Sequence, residues 1–417
     1  KKQAIKITII GGGVIGLCTA YNLQKEGHEV TVIDKNDITT GCSFGNMGYV
    51  SPSHFIPLAT PGIISQGLRW MLSSSSPFYI KPRLNWDLIQ WGLTFWKSAN
   101  AKTVEKNAIH LNNLLQLSRE LMNDFKNEYH NSFDMIERGC WMLYKSESTG
   151  EHEKHFAEQA HMFGLKTEIC SAQRVQEYEP DVEVNVAGGV LYLDDCHINP
   201  TKFMHDIYHD LKQKGVTFLL NTELKAVEKY NNNISAVITT NEKINCDELV
   251  IAAGSWLPQV SKLLGIRMLL QPGKGYSFVN DNLEKNLRYP SILVDDRTAT
   301  SPINHWLRIG GTMELSGHSD NILPKRVEAI YNAFKKYYPS LPIKKPTAEN
   351  TWYGYRPVSP DGLPYIGHHT KYNNVIMAGG HAMLGVTAAA ATGKLVKEIV
   401  QKERTSIDID AFNPERF

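Results

Sequence analysis

Three glycines near the N-terminus, Gly11, Gly13 and Gly16, follow an apolar β run over residues 5–10 and open a helical segment that begins Val14-Ile15. After that segment comes Glu29-Val30-Thr31-Val32-Ile33-Asp34. Glycines spaced this way between strand and helix do chemistry with phosphate. The first allows a tight turn, the second lets backbone N–H groups approach a pyrophosphate, and the third lets helix and strand pack closely. An acid closing the second strand about twenty residues on, here Asp34, holds ribose hydroxyls. Glycines alone would also fit a turn in an unrelated α/β domain. Strand, helix and acid together predict a Rossmann βαβ that binds a dinucleotide.

A second group of small residues follows directly. Thr39-Thr40-Gly41-Cys42-Ser43-Phe44-Gly45-Asn46-Met47-Gly48 forms a loop whose backbone can approach a flat ligand. Glycines precede a helix again near the C-terminus, where the run 375–378 leads to Gly379-Gly380-His381 and an Ala-rich helix over 386–401. Between these ends, residues 103–130 read as a long helix with Leu111, Leu114, Leu115, Leu117, Leu121 and Met122 on its apolar stripe. Asn199 and Pro200 make an N-cap and first turn for a helix running to Lys214. Residues 216–221, 224–230, 235–240 and 248–254 read as strands, and 266–315 alternate like an antiparallel sheet.

The nucleotide-type elements therefore lie in three separate blocks. A nicotinamide Rossmann domain is usually contiguous, which argues against a nicotinamide-dependent dehydrogenase. The spread predicts an α/β Rossmann-type flavin domain built from 1–60, 196–265 and 350–417. An inserted α+β substrate domain, 61–195 and 266–349, would carry the antiparallel sheet. At 417 residues the chain exceeds the roughly 250 to 300 residues at which one core usually divides, so two domains are expected.

The formal net charge of +1, with basic residues scattered among acids, argues against nucleic-acid binding. Six cysteines show no CxxC pair and no His/Cys metal spacing, so no metal is expected and free thiols fit a reducing, cytoplasmic compartment. No stretch of about twenty apolar residues exists, and the N-terminus goes directly into the first strand. A chain that begins without Met leaves a removed leader open. Segment 55–96 is the compositional exception. It carries Trp70, Trp86, Trp91 and Trp96 with Phe55, Phe78, Tyr79 and Phe95, and Arg69, Lys81, Arg83 and Lys97 between them. Either it packs as helices of the second domain, or it presents an aromatic surface with basic flanks to a partner or to the inner face of the cytoplasmic membrane.

Several motifs together resemble the D-amino-acid oxidase family of FAD oxidoreductases over essentially the whole chain. They are the N-terminal glycines, Ala252-Ala253-Gly254-Ser255-Trp256, Ala378-Gly379-Gly380-His381 and the closing Phe412-x-Pro414-x-Arg416-Phe417. With them stands Gly354-Tyr355-Arg356-Pro357-Val358-Ser359-Pro360-Asp361-Gly362-Leu363-Pro364-Tyr365-Ile366-Gly367. Within the family the chain is most similar to the bacterial D-amino-acid dehydrogenase branch. That likeness rests on Ser43-Phe44-Gly45-Asn46-Met47-Gly48-Tyr49-Val50-Ser51-Pro52, Pro57-Leu58-Ala59-x-Pro61-Gly62, Arg69-Trp70-Met71 and Lys274-Gly275-Tyr276-Ser277.

The resemblance implies FAD. Gly11, Gly13 and Gly16 would face the pyrophosphate, Asp34 the adenosine ribose and Lys35 its neighbourhood, while Leu224 would present its backbone to adenine. Ser43, Gly45, Asn46 and Met47 would lie near the flavin edge, and Ala253, Gly254 and Trp256 on the diphosphate side. Gly380, His381, Leu384, Gly385, Val386 and Thr387 would meet the flavin N1 and O2 side with N–H groups and a helix dipole. Tyr353, Gly354 and Tyr355 stand where some relatives have a linking cysteine, and no histidine lies between Asp34 and Tyr49, so non-covalent FAD is implied.

The implied chemistry is hydride transfer from a substrate α-carbon to flavin N5, leaving an imine that hydrolyses to a 2-oxo acid. Arg356, near both cofactor and substrate, would hold the carboxylate with its two-pronged guanidinium; the alternative is a structural pair with an acid such as Asp361. Tyr276 is a hydroxyl donor to the pocket or a sheet tyrosine. His54, which departs from the branch, would touch the substrate amine or side chain. Arg297 and His305 would roof the site, and His197 would be a turn or cap residue. The branch implies D-amino acids, cyclic ones such as D-proline or hydroxy-D-proline included, with electrons passed to a quinone or respiratory chain. The competing expectations are a glycine or sarcosine-type oxidase that makes hydrogen peroxide, and a non-catalytic flavin-binding subunit.

Overall fold

The computed structural model describes residues 3–61, 78–81, 83 and 85–417. Gly62 and Arg69-Trp70-Met71, quoted above for the branch resemblance, lie outside the described residues.

Apolar runs flanked by helices make a parallel sheet. Its six strands run in the order Tyr365–His368, Val375–Gly379, Glu248–Ile251, Lys6–Ile10, Glu29–Ile33 and Thr217–Leu219. Every neighbouring pair is parallel except the first. Central strands of such a sheet are covered on both faces and need no polar alternation. Accordingly Ile7, Ile9, Val32, Val250 and Ile376 are buried in one core with Leu17 and Ala20 of helix Val14–Lys25 and Ala389 and Leu395 of helix Gly385–Val400. Helix Ala101–Glu128, within segment 61–195, packs its stripe of Leu111, Leu114, Leu115 and Met122 into this same core. Asn199 caps helix Pro200–Gln213, its side chain accepting the Lys202 N–H at 3.2 Å.

The second sheet is mostly antiparallel. Its order is Thr351–Val358, Gln271–Asn280, Trp306–Leu315, Thr298–Ile303, Ser291–Leu293, Cys140–Tyr144, Gly188–Tyr192 and Thr167–Ser171, with Phe78–Ile80 beside the end of Trp306–Leu315. The central strand Gln271–Asn280 shows the strand period of two. Tyr276 and Phe278 pack with Ile330 and Phe334 of helix Pro324–Tyr337, while Gly275 lies against the Arg356 guanidinium.

Helices Ala172–Tyr178 and Pro324–Tyr337, and strand Thr167–Ser171, were not marked by the sequence patterns above; helix Trp86–Ser98 lies largely in the segment read there as helices or an aromatic surface. Segment 55–96 divides between the two readings offered for it. Phe55 and Trp91 are buried, and the Trp91 indole donates to the Val358 carbonyl at 2.9 Å. Trp86 and Trp96 are 65% and 63% exposed, with Ile89 and Leu93 exposed between them. No helix among the described residues is long and apolar enough to cross a membrane. None of the six cysteines is in a disulfide.

Candidate active site

The glycine turn after strand Lys6–Ile10 leaves no room for side chains at Gly11 and Gly16. Gly11 has φ +115°, and a Cβ there would stand 2.2 Å from the Ala252 carbonyl oxygen. A Cβ on Gly16 would stand 1.9 Å from the Gly11 carbonyl oxygen, so Gly16 serves the packing of helix on turn. Helix Val14–Lys25 thereby points its N-terminus into a cavity of 480 Å³ lined by Gly11, Gly13, Val14 and Ile15. Ser43 Oγ accepts the Val14 N–H at 3.1 Å. The Asp34 carboxylate accepts N–H groups from Gly12 at 2.7 Å and Asn36 at 2.9 Å. Burial raises the Asp34 pKa, and those two bonds oppose the rise. Leu224, Ala253, Gly254, Trp256, His381, Gly385 and Val386 complete the walls. Lys35 Nζ sits 3.6 Å from the centre of the Trp256 indole, a cation–π contact, and His318 stacks on the same indole at 4.6 Å.

A second cavity of 670 Å³ adjoins the first, and Cys42 and Asn46 line both. Gly45, Met47, Leu384 and Thr387 lie on its wall. A Cβ on Gly45 or Gly354 would stand 2.2 or 2.3 Å from the Trp352 ring, so the loop closes on that indole because both positions lack side chains. Arg308, buried, donates to the Asn46 carbonyl.

Arg356 projects into this second cavity from strand Thr351–Val358. Its Nη1 donates to the Thr312 carbonyl at 2.7 Å, and no described carboxylate lies within ion-pair distance. Asp361 is held by Arg416, at 2.8 and 3.0 Å. Burial lowers the Arg356 pKa, opposed by the neighbouring Cys42 thiol. The carbonyl that aims Arg356 belongs to a bulge. Between Lys274 paired with Glu314 and Tyr276 paired with Gly311 the register shifts, and Thr312 has φ +62°. A β-branched residue in that region is strained, as residues at functional sites often are.

The other sequence candidates are distributed unevenly. Tyr276 lines the cavity, but its hydroxyl donates to Glu314 Oε2 at 3.0 Å, among the buried Lys274 and Arg326. His54 lines the cavity, and burial lowers its pKa to about 4. Arg297 lines it too. His305 is exposed at a hairpin tip, away from both cavities, because the turn between Thr298–Ile303 and Trp306–Leu315 points outward. His197 is a buried strand residue whose Nε2 meets the Pro302 carbonyl at 2.6 Å; Asn199 is the cap. His381 spends its imidazole on Thr392 Oγ1 at 2.9 Å, so its main chain is what faces the first cavity. Gly380, at φ +77°, packs on Tyr365 instead of on a cavity.

A family model described as FAD dependent oxidoreductase (DAO) matches residues 6–399. The chain belongs to this family of FAD-dependent oxidoreductases. It is 32% identical over 397 residues to a D-amino acid dehydrogenase of Helicobacter pylori, covering 95% of each chain. To a D-amino acid dehydrogenase of Granulibacter bethesdensis it is 30% identical over 413 residues, covering 97% of each. In fold it is similar to glycine oxidase from Geobacillus kaustophilus, with TM-score 0.79 and 20% identity over 99% of this chain and 100% of that one.

The first cavity has the chemistry an FAD dinucleotide requires: a turn no Cβ can enter, helix N–H groups and an acid at the strand end. The family's cofactor is FAD. Sequence reading did not find Arg308, Thr312, Trp352, Ser53 or Asp195. Trp352 and Gly45, and Thr312 and Arg356, are far apart in the chain and meet only in the folded protein. The sequence alone assigned Asp195 no role.

Proposed function

We propose that this chain oxidises D-amino acids, cyclic ones such as D-proline and hydroxy-D-proline included, and passes the electrons to a quinone or other respiratory acceptor. Arg356 carries the reading. A half-buried, desolvated guanidinium whose protein bond is to one carbonyl, on the wall of a cavity that joins the dinucleotide cavity, is stabilised by an anion that completes it. A substrate carboxylate is that anion, and the planar fork binds it in two prongs. Gly275 makes room for this arginine, since a Cβ there would stand 2.2 Å from Nη1.

FAD, held without a covalent link, would supply the acceptor for the hydride of the α-C–H bond. Around it we assign Gly11, Gly13 and Val14 to the diphosphate, Asp34 to the adenosine ribose and Leu224 to adenine. Ser43, Gly45, Asn46 and Met47, opposite Gly385, Val386 and Thr387, are assigned to the flavin. Segments 1–60, 196–265 and 350–417 are assigned most of the cofactor work and 61–195 with 266–349 much of the substrate cavity, to which His54 and Arg356 also contribute; the boundary at 350 cuts across the second sheet, since strand Thr351–Val358 belongs to it. The exposed stripe Trp86, Ile89, Leu93 and Trp96, at helical spacing on Trp86–Ser98, suits a peripheral contact with the cytoplasmic membrane near a quinone acceptor.

The test is anaerobic bleaching of the flavin band near roughly 450 nm by D- and L-enantiomers of proline, hydroxyproline and primary amino acids, followed by air. Rapid bleaching by D-forms with slow recovery in air supports the reading. Fast recovery with peroxide makes the chain an oxidase, and no bleaching by any amine refutes catalysis.

A further inference from the structure

We propose that His54, oriented by Ser53 and Asp195, takes the α-ammonium proton of the bound amino acid. The inference rests on the functional reading above and goes beyond it. An α-ammonium has no lone pair with which to form C=N as the α-C–H bond breaks, so one proton must leave before the hydride does. In a cavity walled largely by apolar groups, a protein acceptor is the short route.

The acceptor is built by a chain of three residues. The Asp195 carboxylate, 1% exposed, accepts the Ser53 N–H at 3.1 Å and the Ser53 hydroxyl at 2.6 Å. Burial raises the Asp195 pKa to about 7, opposed by the Ser53 bonds; with Asp195 ionised, Ser53 gives it its only proton, and Ser53 Oγ meets His54 Nδ1, 3.3 Å away, by accepting. Nδ1 therefore carries the ring proton and Nε2 carries the lone pair. No described residue bonds Nε2, and Ser53 and His54 share the wall of the cavity that holds Arg356. Burial, which lowers the ring's pKa to about 4, keeps it neutral at ordinary pH and makes the transfer uphill, so the imidazolium is only a transient acceptor.

The step is a proton transfer in which no electrons change hands. The ammonium N–H bond breaks and an N–H bond forms at Nε2, giving a neutral amine and an imidazolium. That cation is met through Ser53 by the Asp195 carboxylate.

Other titratable groups on the same cavity are otherwise engaged. Tyr49, whose ring lies 6.5 Å from the imidazole, gives its hydroxyl to the Ser291 and Thr300 carbonyls at 3.0 and 2.6 Å. Tyr276 is bound to Glu314. Burial raises the pKa of the Cys42 thiol and of Tyr192. Burial raises the Glu153 pKa to about 7, opposed by the charge of Arg297; among the described residues it is the rival base.

The experiment is the rate of anaerobic flavin bleaching at saturating D-substrate, measured from pH 6 to 10 for the holoenzyme and for His54→Leu, His54→Gln, Ser53→Ala and Glu153→Gln. Retained FAD absorbance shows that each variant is folded. Both His54 variants should lose on the order of 10²-fold at pH 7. That deficit should shrink towards none as the pH passes the substrate's own ammonium pKa, where the amine arrives already neutral. Ser53→Ala should lose less and converge in the same way, and Glu153→Gln should show no pH-dependent deficit. A His54 deficit that is absent or equal at every pH, or the convergent pattern in Glu153→Gln instead, overturns the relay. A holoenzyme that no amine bleaches overturns the functional reading instead.

Discussion

The first cavity has main chain at its phosphate end: the Gly11 turn, the N-terminus of helix Val14–Lys25, and the loops at Ala253-Gly254 and Gly385-Val386. The second is walled by side chains from distant parts of the chain, Arg356 and Trp352 from one strand, Thr312 from another and His54 from a loop. A backbone site can be destroyed by adding an atom, and a side-chain site by removing one. Cofactor and substrate binding should therefore fail separately, under opposite kinds of substitution.

Gly11→Val should have the largest effect. Its Cβ would lie 2.2 Å from the Ala252 carbonyl oxygen, at a φ of +115° that valine does not tolerate. The purified variant should be colourless, lacking flavin absorbance and all turnover. A yellow variant would show that the turn is not what holds the cofactor. Arg356→Leu comes second. It should keep full flavin absorbance while KM for the D-substrate rises on the order of 10²-fold, the scale of a lost charge-assisted pair. Unchanged KM would remove Arg356 from substrate binding, and loss of FAD would merge the two cavities into one functional unit.

This contrast also explains what could be read from sequence. Backbone sites are written locally: Gly11, Gly13, Gly16 and Asp34 are close in the chain, and strand, turn and helix follow in order. Arg356 was legible through a long run of neighbours, and its real companions, Thr312 and Gly275, were not. They meet it through sheet registers that sequence does not print, Gly273 opposite Arg356 and a bulge at Thr312. Tyr276 and Gly275 stood equally prominent in one motif. The strand period sends Gly275 to the Arg356 side and the Tyr276 hydroxyl to Glu314, and which parity faced the cavity depended on the pairing. Helix Ala101–Glu128 had a clear stripe, yet nothing in its sequence told that the stripe would meet the parallel sheet's core.

A smaller effect tests the seam between the two regions, where His197 pairs with Tyr49. Burial lowers the His197 pKa to about 4, below the roughly 6.5 of an unfolded histidine. Because the folded form holds its proton less tightly, this contribution to stability is complete above the unfolded value and is lost as pH falls from there through about 4. By pH 4.5 the loss from this one group is on the order of 2 kcal/mol. His197→Gln, which can still donate to the Pro302 carbonyl, should narrow the difference in thermal midpoint between pH 7 and 4.5. An unchanged difference would mean that other buried groups set the acid limit.

Thr312→Asn should have the smallest effect and the sharpest bearing on the side-chain cavity. Thr312 holds φ +62°, and its carbonyl accepts Arg356 at 2.7 Å. Asparagine tolerates that left-handed conformation better than a β-branched residue does. If the strain exists only to aim the carbonyl, the variant keeps the carbonyl, relaxes the backbone by about 1 kcal/mol and raises the thermal midpoint slightly, with KM unchanged. A KM that rises while the midpoint also rises would show that the threonine side chain contributes to the substrate site beyond its backbone. A fallen midpoint would mean that the bulge is held by packing of the threonine methyl, and that Arg356 is aimed by the sheet as a whole.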